Sequence, residues 1–213
     1  MDSFITEDYY RFVYDPTLYG FNTAYWRGLN GAVSVDASHR LSLNAVTIVS
    51  KHQYFRGNFV MNLTIPAVPT AGDERIFGLA LPAMSTKNAA YFEITGTTFQ
   101  AVVKDSFNGT VTTSDAITWQ AAWTNTAIEY RILWVGNKVT FYVNGIRVYE
   151  LADRNLVPQL TTIPVYIANN NADAMLLKYL AISDVHKVVM PMWETPETVT
   201  TLPSTSPSIY FNI

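Results

Sequence analysis

Apolar and polar residues alternate with a period of two along much of the chain, most clearly between residues 128 and 151. Such a period is typical of a strand that is buried on one face, and it does not suit a helix. This segment, the central meander, therefore predicts three antiparallel strands. Its alternating apolar positions are Tyr130, Ile132, Trp134, Val139, Phe141, Val143, Ile146 and Val148.

Two turn signals divide the central meander, Gly136-Asn137 and Asn144-Gly145. Primed turns need positive φ, which glycine and asparagine tolerate best, so each pair predicts a two-residue hairpin loop. The predicted cross-strand pairs are Val135–Lys138, Trp134–Val139, Ile132–Phe141, Tyr130–Val143, Val143–Ile146 and Phe141–Val148. This register makes one face of the meander wholly apolar. The opposite face would carry Glu129, Arg131, Leu133, Thr140, Tyr142, Arg147 and Tyr149.

Short strand-like runs with frequent turn signals continue on both sides of the meander, and almost no segment has a helical period. The predicted strands cover residues 32–35, 41–43, 46–49, 57–65, 75–81, 89–95, 98–103, 111–113, 164–168 and 175–182, with one helical turn at 121–123. About a dozen strands of this kind are typical of a two-sheet sandwich. We therefore predict an all-β fold, an antiparallel two-sheet jelly-roll sandwich with extended N- and C-terminal arms.

The sandwich is predicted over residues 30–185. Residues 1–29 form an aromatic-rich N-terminal arm, and residues 186–213 form an extended arm rich in Pro, Thr and Ser. Exposed aromatic area on this scale would be unfavourable, so the first arm either wraps its own domain or docks into a neighbouring subunit. The second arm either frays or adds a strand to a sheet edge. The candidate assembly residues are Tyr9, Tyr10, Phe12, Tyr14, Tyr25, Trp26, Ile209, Tyr210, Phe211 and Ile213.

The amino-acid composition narrows the range of possible partners and locations. The 213 residues carry a net charge of −3, and charged residues make up 15% of them, against roughly 25% in an average globular domain. Much of the surface must therefore be uncharged polar or covered by partners, which favours assembly. The bases form no cluster that could follow a phosphate backbone, and no apolar run reaches the roughly 20 residues of a membrane helix, so we expect no nucleic acid and no membrane partner. The N-terminus lacks a secretion signal, which predicts synthesis in a cytoplasm.

The side chains that could bind a metal or a cofactor do not form a known pattern. His39, His52 and His186 lie far apart in the sequence, and cysteine is absent. The segment 169–173 (Asn-Asn-Asn-Ala-Asp) offers oxygens for a calcium ion, but its spacing is not that of a defined calcium loop, and such residues also serve turns. We therefore predict no metal and no cofactor.

One face of the central meander is the candidate binding or interface surface. Arg131, Tyr142, Arg147 and Tyr149 would project from it together, combining flat aromatic area with planar donors. A sugar ring could stack on such a surface. Tyr and Arg are equally favoured anchors of protein interfaces, so a subunit or an arm could cover it instead. Alternatively, Arg131 and Arg147 could pair with Glu129 or Glu150.

Several of these strands resemble those of the concanavalin A-like lectin/glucanase jelly rolls. The resemblance spans roughly residues 30 to 184, and it implies two curved antiparallel sheets, with polysaccharide bound or cut on the concave face. The segments that carry it are YFRGNFVMNL (54–63), RIFGLAL (75–81), AYFEI (90–94), EYRILW (129–134), FYVNG (141–145) and LLKYLAI (176–182).

The resemblance also implies what the catalytic strand of a glucanase contains. Family glucanases carry two carboxylates on one strand, separated by an aspartate, and alternation aims both catalytic groups into the cleft. The nearest match here has Glu93 followed by Thr95 and Thr97, where further acids would stand. Asp73 and Glu74 are adjacent, so on a strand they would point to opposite faces. Glycosidase chemistry would then require Glu93 to meet a carboxylate from a distant strand, and we predict that the protein is not an enzyme.

Together these features predict a noncatalytic structural or assembly protein. The aromatic arm, the low charge and the Pro/Thr/Ser-rich tail resemble viral and bacteriophage structural proteins, which implies a virion component for capsid decoration, tail or fibre. The predicted partners are other protein subunits, in a homo-oligomer or particle, with a glycan as a further candidate ligand. The predicted location is the virion, or otherwise the cytoplasm. The alternative function is a carbohydrate-binding module that recognises a glycan through Tyr142 and Tyr149.

Overall fold

The computed structural model describes residues 10–31, 33–54, 57–81, 88–105, 109–158 and 163–183, with the backbone alone for 10–12 and 53–54. Within these ranges the chain forms two eight-stranded antiparallel sheets. The predicted all-β two-sheet sandwich is thus confirmed. In the described residues, helix is limited to one turn, α1 (Pro16–Tyr19), and a 3-10 turn at Ala121–Trp123. No helix in the described ranges has the length and apolar character needed to cross a membrane.

Sheet A consists of β1 (Tyr10–Tyr14), β3 (Val33–Val35), β4 (Leu41–Leu43), β6 (Asn58–Thr64), β12 (Ala127–Val135), β13 (Lys138–Val143), β14 (Ile146–Leu151) and β16 (Met175–Ser183). Its strand order is β14-β13-β12-β6-β16-β4-β3, and β1 pairs with β16 as well. Sheet A therefore contains the whole central meander.

Sheet B consists of β2 (Trp26–Asn30), β5 (Val46–Tyr54), β7 (Glu74–Leu79), β8 (Ala89–Thr95), β9 (Thr98–Lys104), β10 (Val111–Thr113), β11 (Ile117–Thr118) and β15 (Ile163–Asn169). Its strand order is β10-β9-β8-β7-β15-β5-β2, and β11 also pairs with β9. Strands β7 and β8 thus lie near the middle of the sheet, flanked by β9 and β15.

Aromatic side chains from both sheets meet in the core between them. Phe77, Phe92 and Phe99 come from sheet B, while Tyr130 and Phe141 come from sheet A. The ring centroids of Phe92 and Phe141 are 5.2 Å apart in an edge-on arrangement, and those of Phe77 and Tyr130 are 4.7 Å apart. Each ring removes roughly 150–250 Å² from water, so this cluster is a principal source of stability. The packing of this cluster also determines which face of each strand points away from the core and can carry a functional site.

The register of the central meander follows the prediction with one exception. Trp134 pairs with Val139 and Tyr130 with Val143, as the turn signals require. A register shift between Phe141 and Tyr142 places Phe141 opposite Tyr149, so the predicted Phe141–Val148 pair is wrong. The physical reason is a β-bulge, which inserts one residue into β14 and reverses the faces beyond it. Tyr149 therefore packs on the core, where its ring lies 6.0 Å from that of Phe141.

The described part of the N-terminal segment belongs to the sandwich. β1 pairs with β16 and β2 pairs with β5, so the predicted boundary at residue 29 falls inside β2. Tyr14 and Trp26 are buried in the core with ring centroids 5.3 Å apart, and Tyr25 packs against the same core. Burial raises the pKa of Tyr14 to about 12. These three aromatics wrap their own domain, which was the first of the two predicted alternatives.

The other predicted assembly residues have no described side chain. Tyr10 and Phe12 lie in β1, where only the backbone is described. The remaining ones lie outside the described residues: Tyr9, Ile209, Tyr210, Phe211 and Ile213. The assembly role of these seven residues stays a prediction.

Candidate active site

Strand β8 presents one acidic side chain on the outer face of sheet B. Its core-facing residues, Ala90, Phe92 and Ile94, belong to the interior cluster between the sheets. Alternation turns Tyr91 and Glu93 to the other face. Glu93 is half-buried there, whereas Tyr91 is only 3% exposed. The local sequence thus determines that Glu93 points away from the core.

A row of three residues crosses this face beside Glu93. Tyr91 on β8 lies opposite Gly78 on β7, and Gly78 lies opposite Tyr166 on β15. Gly78 has a φ of 152°, and a Cβ atom there would lie 2.6 Å from the Cα of Tyr91. The glycine therefore lets the backbones of β7 and β8 approach closely between two buried tyrosine side chains.

Glu74 is the acid on the neighbouring strand. It lies opposite Thr95, while Ile76 lies opposite Glu93, so Glu74 and Glu93 occupy diagonal positions on the same face. Diagonal positions of an antiparallel pair are about 7 to 8 Å apart, with somewhat closer Cβ atoms. Asn170, just beyond β15, donates from Nδ2 to Oε2 of Glu74 over 2.8 Å. Two carboxylates thus share this face, and one of them is held by an amide.

The charges around Glu93 change its protonation. Burial raises the pKa of the Glu93 carboxyl above its ordinary value, and the negative charge of Glu74 raises this pKa further. The ammonium of Lys104 opposes both effects. Lys104 also lies over the ring of Tyr91, with its Nζ 5.7 Å from the ring centroid. Glu93 consequently holds its proton to a higher pH than an ordinary glutamate does.

Apolar side chains surround these polar groups and keep the face drier than an open surface. A second buried cluster, separate from the main core, contains Val49, Ile76, Ala80, Ala89, Tyr91, Val102, Tyr166 and Ala168. Burial raises the pKa of both tyrosines, and the charge of Glu74 raises it further. Their hydroxyls therefore stay protonated and can donate hydrogen bonds at neutral pH.

Asp73 lies on the opposite side of its strand from Glu74, as the sequence predicts. It forms a buried ion pair with Arg75, with Oδ2 and Nη1 3.2 Å apart. It also accepts hydrogen bonds from the backbone amide of Thr70 at 2.9 Å and from the side chain of Asn171. Asp73 therefore stabilises the end of β7 and is not part of the face that carries Glu93.

The polar groups on this face suit acid-assisted cleavage of a glycosidic bond. A glutamate with a raised pKa can donate a proton to a leaving oxygen near neutral pH. A second carboxylate is the group that glycoside hydrolysis requires in addition. Tyrosine side chains and a lysine can bind sugar hydroxyls beside them. Taken together, Glu93, Glu74, Tyr91, Tyr166 and Lys104 are the candidate active site.

The face predicted from the central meander lies on sheet A. Arg131 is buried, donates from Nε to Oδ1 of Asn58 at 2.7 Å, and lies over the ring of Tyr142, with 5.1 Å between its Cζ and the ring centroid. Arg147 is opposite Tyr142 and pairs with Glu150 over 3.3 Å. The structure thus brings three of the four predicted residues together. Tyr149 is on the core side because of the bulge.

A groove of about 490 Å³ lies at the edge of sheet A, on the other sheet from Glu93. Its lining is mixed in chemistry and includes Asp15, His39, Lys178 and Tyr179. No pair of acids lies in it, so it does not offer the chemistry of the face on sheet B.

The asparagine-rich turn uses its polar atoms within the fold. Asn169 donates from Nδ2 to the carbonyls of Leu43 and Asp173 at 2.6 and 2.8 Å. Asn171 accepts from the backbone amide of Asp173 at 2.7 Å. The side-chain oxygens of Asn169 and Asn171 thus accept backbone hydrogen bonds within the turn. Among the described residues, no group of three or more metal-binding side chains is present.

Comparison with known proteins assigns the family. A model described as "Glycosyl hydrolases family 16" matches residues 22–181. The chain belongs to glycosyl hydrolase family 16. The match covers β2 to β16 and includes Glu74 and Glu93. No curated protein sequence matches the chain significantly.

Solved structures agree on the fold. The β-glucanase of Bacillus licheniformis has a TM-score of 0.64 and 16% identity, covering 81% of this chain and 97% of its own. A β-1,3-glucanase from Mycobacterium marinum has a TM-score of 0.63 and 13% identity, covering 81% and 98%. The Crh5 transglycosylase in its apo form has a TM-score of 0.61 and 17% identity, covering 81% and 83%. The predicted resemblance to concanavalin A-like jelly rolls is thereby confirmed.

Family 16 membership corrects the functional prediction. The interpretations as a noncatalytic virion component and as a protein that is not an enzyme are wrong, because the family and the matched structures are those of glycoside-acting enzymes. The error came from searching for two acids on one strand. In this chain the second acid on the same face comes from the neighbouring strand.

The sequence pattern singled out Glu93 and Glu74 without bringing them together, and it did not point to Tyr91, Tyr166 or Lys104 as site residues. A period-two signal was available, because Glu74, Ile76 and Gly78 share one face of β7, and Tyr91 and Glu93 share one face of β8. What the pattern lacked was the register between these strands, since the link from residue 80 to 88 carries no two-residue turn signal.

Proposed function

We propose that this protein is a glycosidase or transglycosylase that cleaves a β-glucan on the outer face of sheet B, with Glu93 as the general acid. The observation that carries the proposal is the position of Glu93 on β8, half-buried on the face opposite the core, in a chain that belongs to family 16. The acid would protonate the leaving oxygen of the glycosidic bond.

The surroundings of Glu93 support this role. An acid catalyst works best when its pKa lies near the working pH, and burial is a common way to raise a carboxyl pKa. Burial and the charge of Glu74 raise the pKa of Glu93 in this direction. Lys104 is near enough to stabilise the carboxylate that forms once the proton has left.

The names of the matched enzymes support the choice of β-glucan as the proposed substrate class. Two of them are named as a β-glucanase and a β-1,3-glucanase, and a third is a β-1,3-1,4-glucanase from a mouse hindgut metagenome. The Crh5 enzyme is named as a transglycosylase, so transfer to a sugar acceptor is a second reaction to test. Mixed-linkage and β-1,3-linked glucans are therefore the substrates to test first.

The test is an assay of the intact chain on both glucans, with new reducing ends and transfer products measured by mass spectrometry. Glu93→Gln is expected to lower the rate about 10²–10⁴-fold, the usual contribution of a general acid. The matched control is Glu150→Gln, which removes a glutamate from the outer face of sheet A and should leave the rate within a factor of two. Absence of cleavage and transfer on both glucans, or an unchanged rate in Glu93→Gln, would refute the proposal.

A glycan-binding surface on sheet A is a second candidate function. The specific observation is that the Arg131 guanidinium lies over the Tyr142 ring while Arg147 stands opposite Tyr142 on β14. Flat aromatic area beside planar donors suits a sugar ring, although Arg and Tyr also anchor protein interfaces. We propose this surface as an auxiliary site that holds a glycan chain without cutting it.

A further inference from the structure

A glycosidase of the proposed type needs a second carboxylate, and β8 offers none besides Glu93. Glycoside hydrolysis generally uses a pair of acids on either side of the scissile bond. Strand β8 contains Glu93 as its single acid, with Thr95 at the next position on the same face. The partner must therefore come from another element.

Glu74 is the acid that the topology brings to this position. Strands β7 and β9 flank β8, and in the described residues of those two strands the one acid is Glu74. Its diagonal register to Glu93 puts both side chains on the same face of adjacent strands. From diagonal positions about 7 to 8 Å apart, two glutamate side chains can bring their carboxyl groups to the roughly 5–5.5 Å of a double-displacement enzyme.

Asn170 fixes the orientation of Glu74. Its side-chain amide donates to Oε2, and its backbone amide donates to the backbone carbonyl of Glu74 at 3.0 Å. Asn170 approaches from the β15 side, whereas Glu93 stands on the β8 side. The bond engages one oxygen of the carboxylate, Oε2. Positioning of a nucleophile by a neighbouring donor is a recurring feature of covalent catalysis.

We infer that Glu74 is the nucleophile of the proposed reaction and that Asn170 positions it, so that the catalytic pair is shared between β7 and β8. This inference rests on the proposed function. In the first step Oε1 of Glu74 forms a bond to the anomeric carbon as the bond to the leaving oxygen breaks. The electron pair of that bond goes to the leaving oxygen, which takes the proton of Glu93.

In the second step the Glu93 carboxylate takes a proton from a water molecule or from a sugar hydroxyl. The oxygen of that acceptor bonds to the anomeric carbon, and the electron pair of the glycosyl–Glu74 bond returns to the carboxylate. Both acids then have the protonation with which they began. Water gives hydrolysis and a sugar hydroxyl gives transfer, with the same configuration at the anomeric carbon as in the substrate.

The test traps the covalent intermediate on the whole chain. A 2-deoxy-2-fluoro β-laminaribiosyl fluoride is incubated with the protein, and the labelled peptide is identified by mass spectrometry. The expected label is on Glu74 of the wild type and absent from Glu74→Gln. Glu74→Ala should lose at least 10³-fold in rate, and added azide should restore part of it with a glycosyl azide of inverted configuration as product.

The positioning role of Asn170 has its own readout. Asn170→Ala should slow labelling of Glu74 at least tenfold while KM for the glucan changes less than twofold, because the amide contacts the nucleophile and not the sugar. Asn170→Asp tests the hydrogen bond to Glu74 more stringently, because aspartate keeps the size of the side chain but lacks the N–H donor.

The outcomes separate the inference from the proposed function. A label on another residue, a product of inverted configuration, or a Glu74→Gln variant that retains activity while Glu93→Gln loses it, would overturn the role of Glu74 and leave the enzyme assignment standing. A wild type that neither cleaves glucan nor takes up the label would overturn both. Folding of each variant is checked by its urea unfolding curve.

Discussion

A Cβ atom on Gly78 would lie 2.6 Å from the Cα of Tyr91 on the neighbouring strand, closer than backbone atoms allow. Gly78 also has a φ of 152°, which side chains rarely adopt. Gly78→Ala should therefore lower the free energy of unfolding by about 3 kcal/mol, through overpacking and backbone strain. Urea unfolding measures the difference.

Gly28 offers the matched control for this substitution. It also lies in a strand of sheet B, and a Cβ there would meet nothing within 4 Å. Gly28→Ala should change the free energy of unfolding by no more than about 0.5 kcal/mol. Equal effects of the two substitutions would show that the close approach of β7 and β8 is not a constraint.

The protonation of Glu93 should appear in the pH dependence of stability. Its pKa is raised in the fold above its ordinary value of 4.5. The neutral carboxyl is therefore favoured by folding, and this stability is fully present below the unfolded-state pKa and is lost as the pH rises through the folded-state pKa. Glu93→Gln, which stays neutral, should be more stable than the wild type at pH 7 and equal to it at pH 3.

The negative charge of Glu74 helps to raise the pKa of Glu93. A double-mutant cycle between the two residues can therefore measure their interaction. The stabilisation by Glu93→Gln at pH 7 should be smaller in a Glu74→Gln background, because one source of the raised Glu93 pKa is gone. At pH 3 the Glu93 carboxyl is neutral in the fold, since its pKa is raised, and the coupling should vanish. A coupling that is independent of pH would contradict an electrostatic interaction between the two acids.

The buried pair of Arg75 and Asp73 should be sensitive to the loss of one partner. The Arg75 side chain is fully buried and that of Asp73 is 5% exposed. Arg75→Met would leave the carboxylate of Asp73 buried without its counter-ion, which should cost about 3–5 kcal/mol of unfolding free energy. Arg147→Met is the control. Its pair with Glu150 is largely exposed, so that change should cost at most about 1 kcal/mol.

The auxiliary surface on sheet A predicts a separation of binding from catalysis. Tyr142→Ala removes the ring over which Arg131 lies, and it should weaken glucan binding severalfold in isothermal titration with little change in kcat. Tyr149→Ala is not expected to act through this surface, since Tyr149 packs on the core side. Unaltered affinity in Tyr142→Ala would remove the surface from consideration as a glycan site.

Much of the fold could be predicted because its signals are local. The turns at Gly136-Asn137 and Asn144-Gly145 set the register between β12 and β13 and at the start of β14. The bulge near Val148 could not be predicted, because no residue there requires a special φ and the extra residue is accommodated by packing. The position of Tyr149 was therefore assigned to the wrong face.

In the candidate site, too, some features follow from the local sequence and others from the tertiary structure. Alternation along β8 determines by itself that Glu93 leaves the core, and alternation along β7 separates Glu74 from Asp73. The sequence also determined the sandwich, since a period of two permits burial of one face per strand. Only the tertiary structure decided that β7 and β8 are neighbours in a register that makes Glu74 and Glu93 diagonal. Strands joined by a long link pair according to the packing of the whole core, which no local pattern encodes.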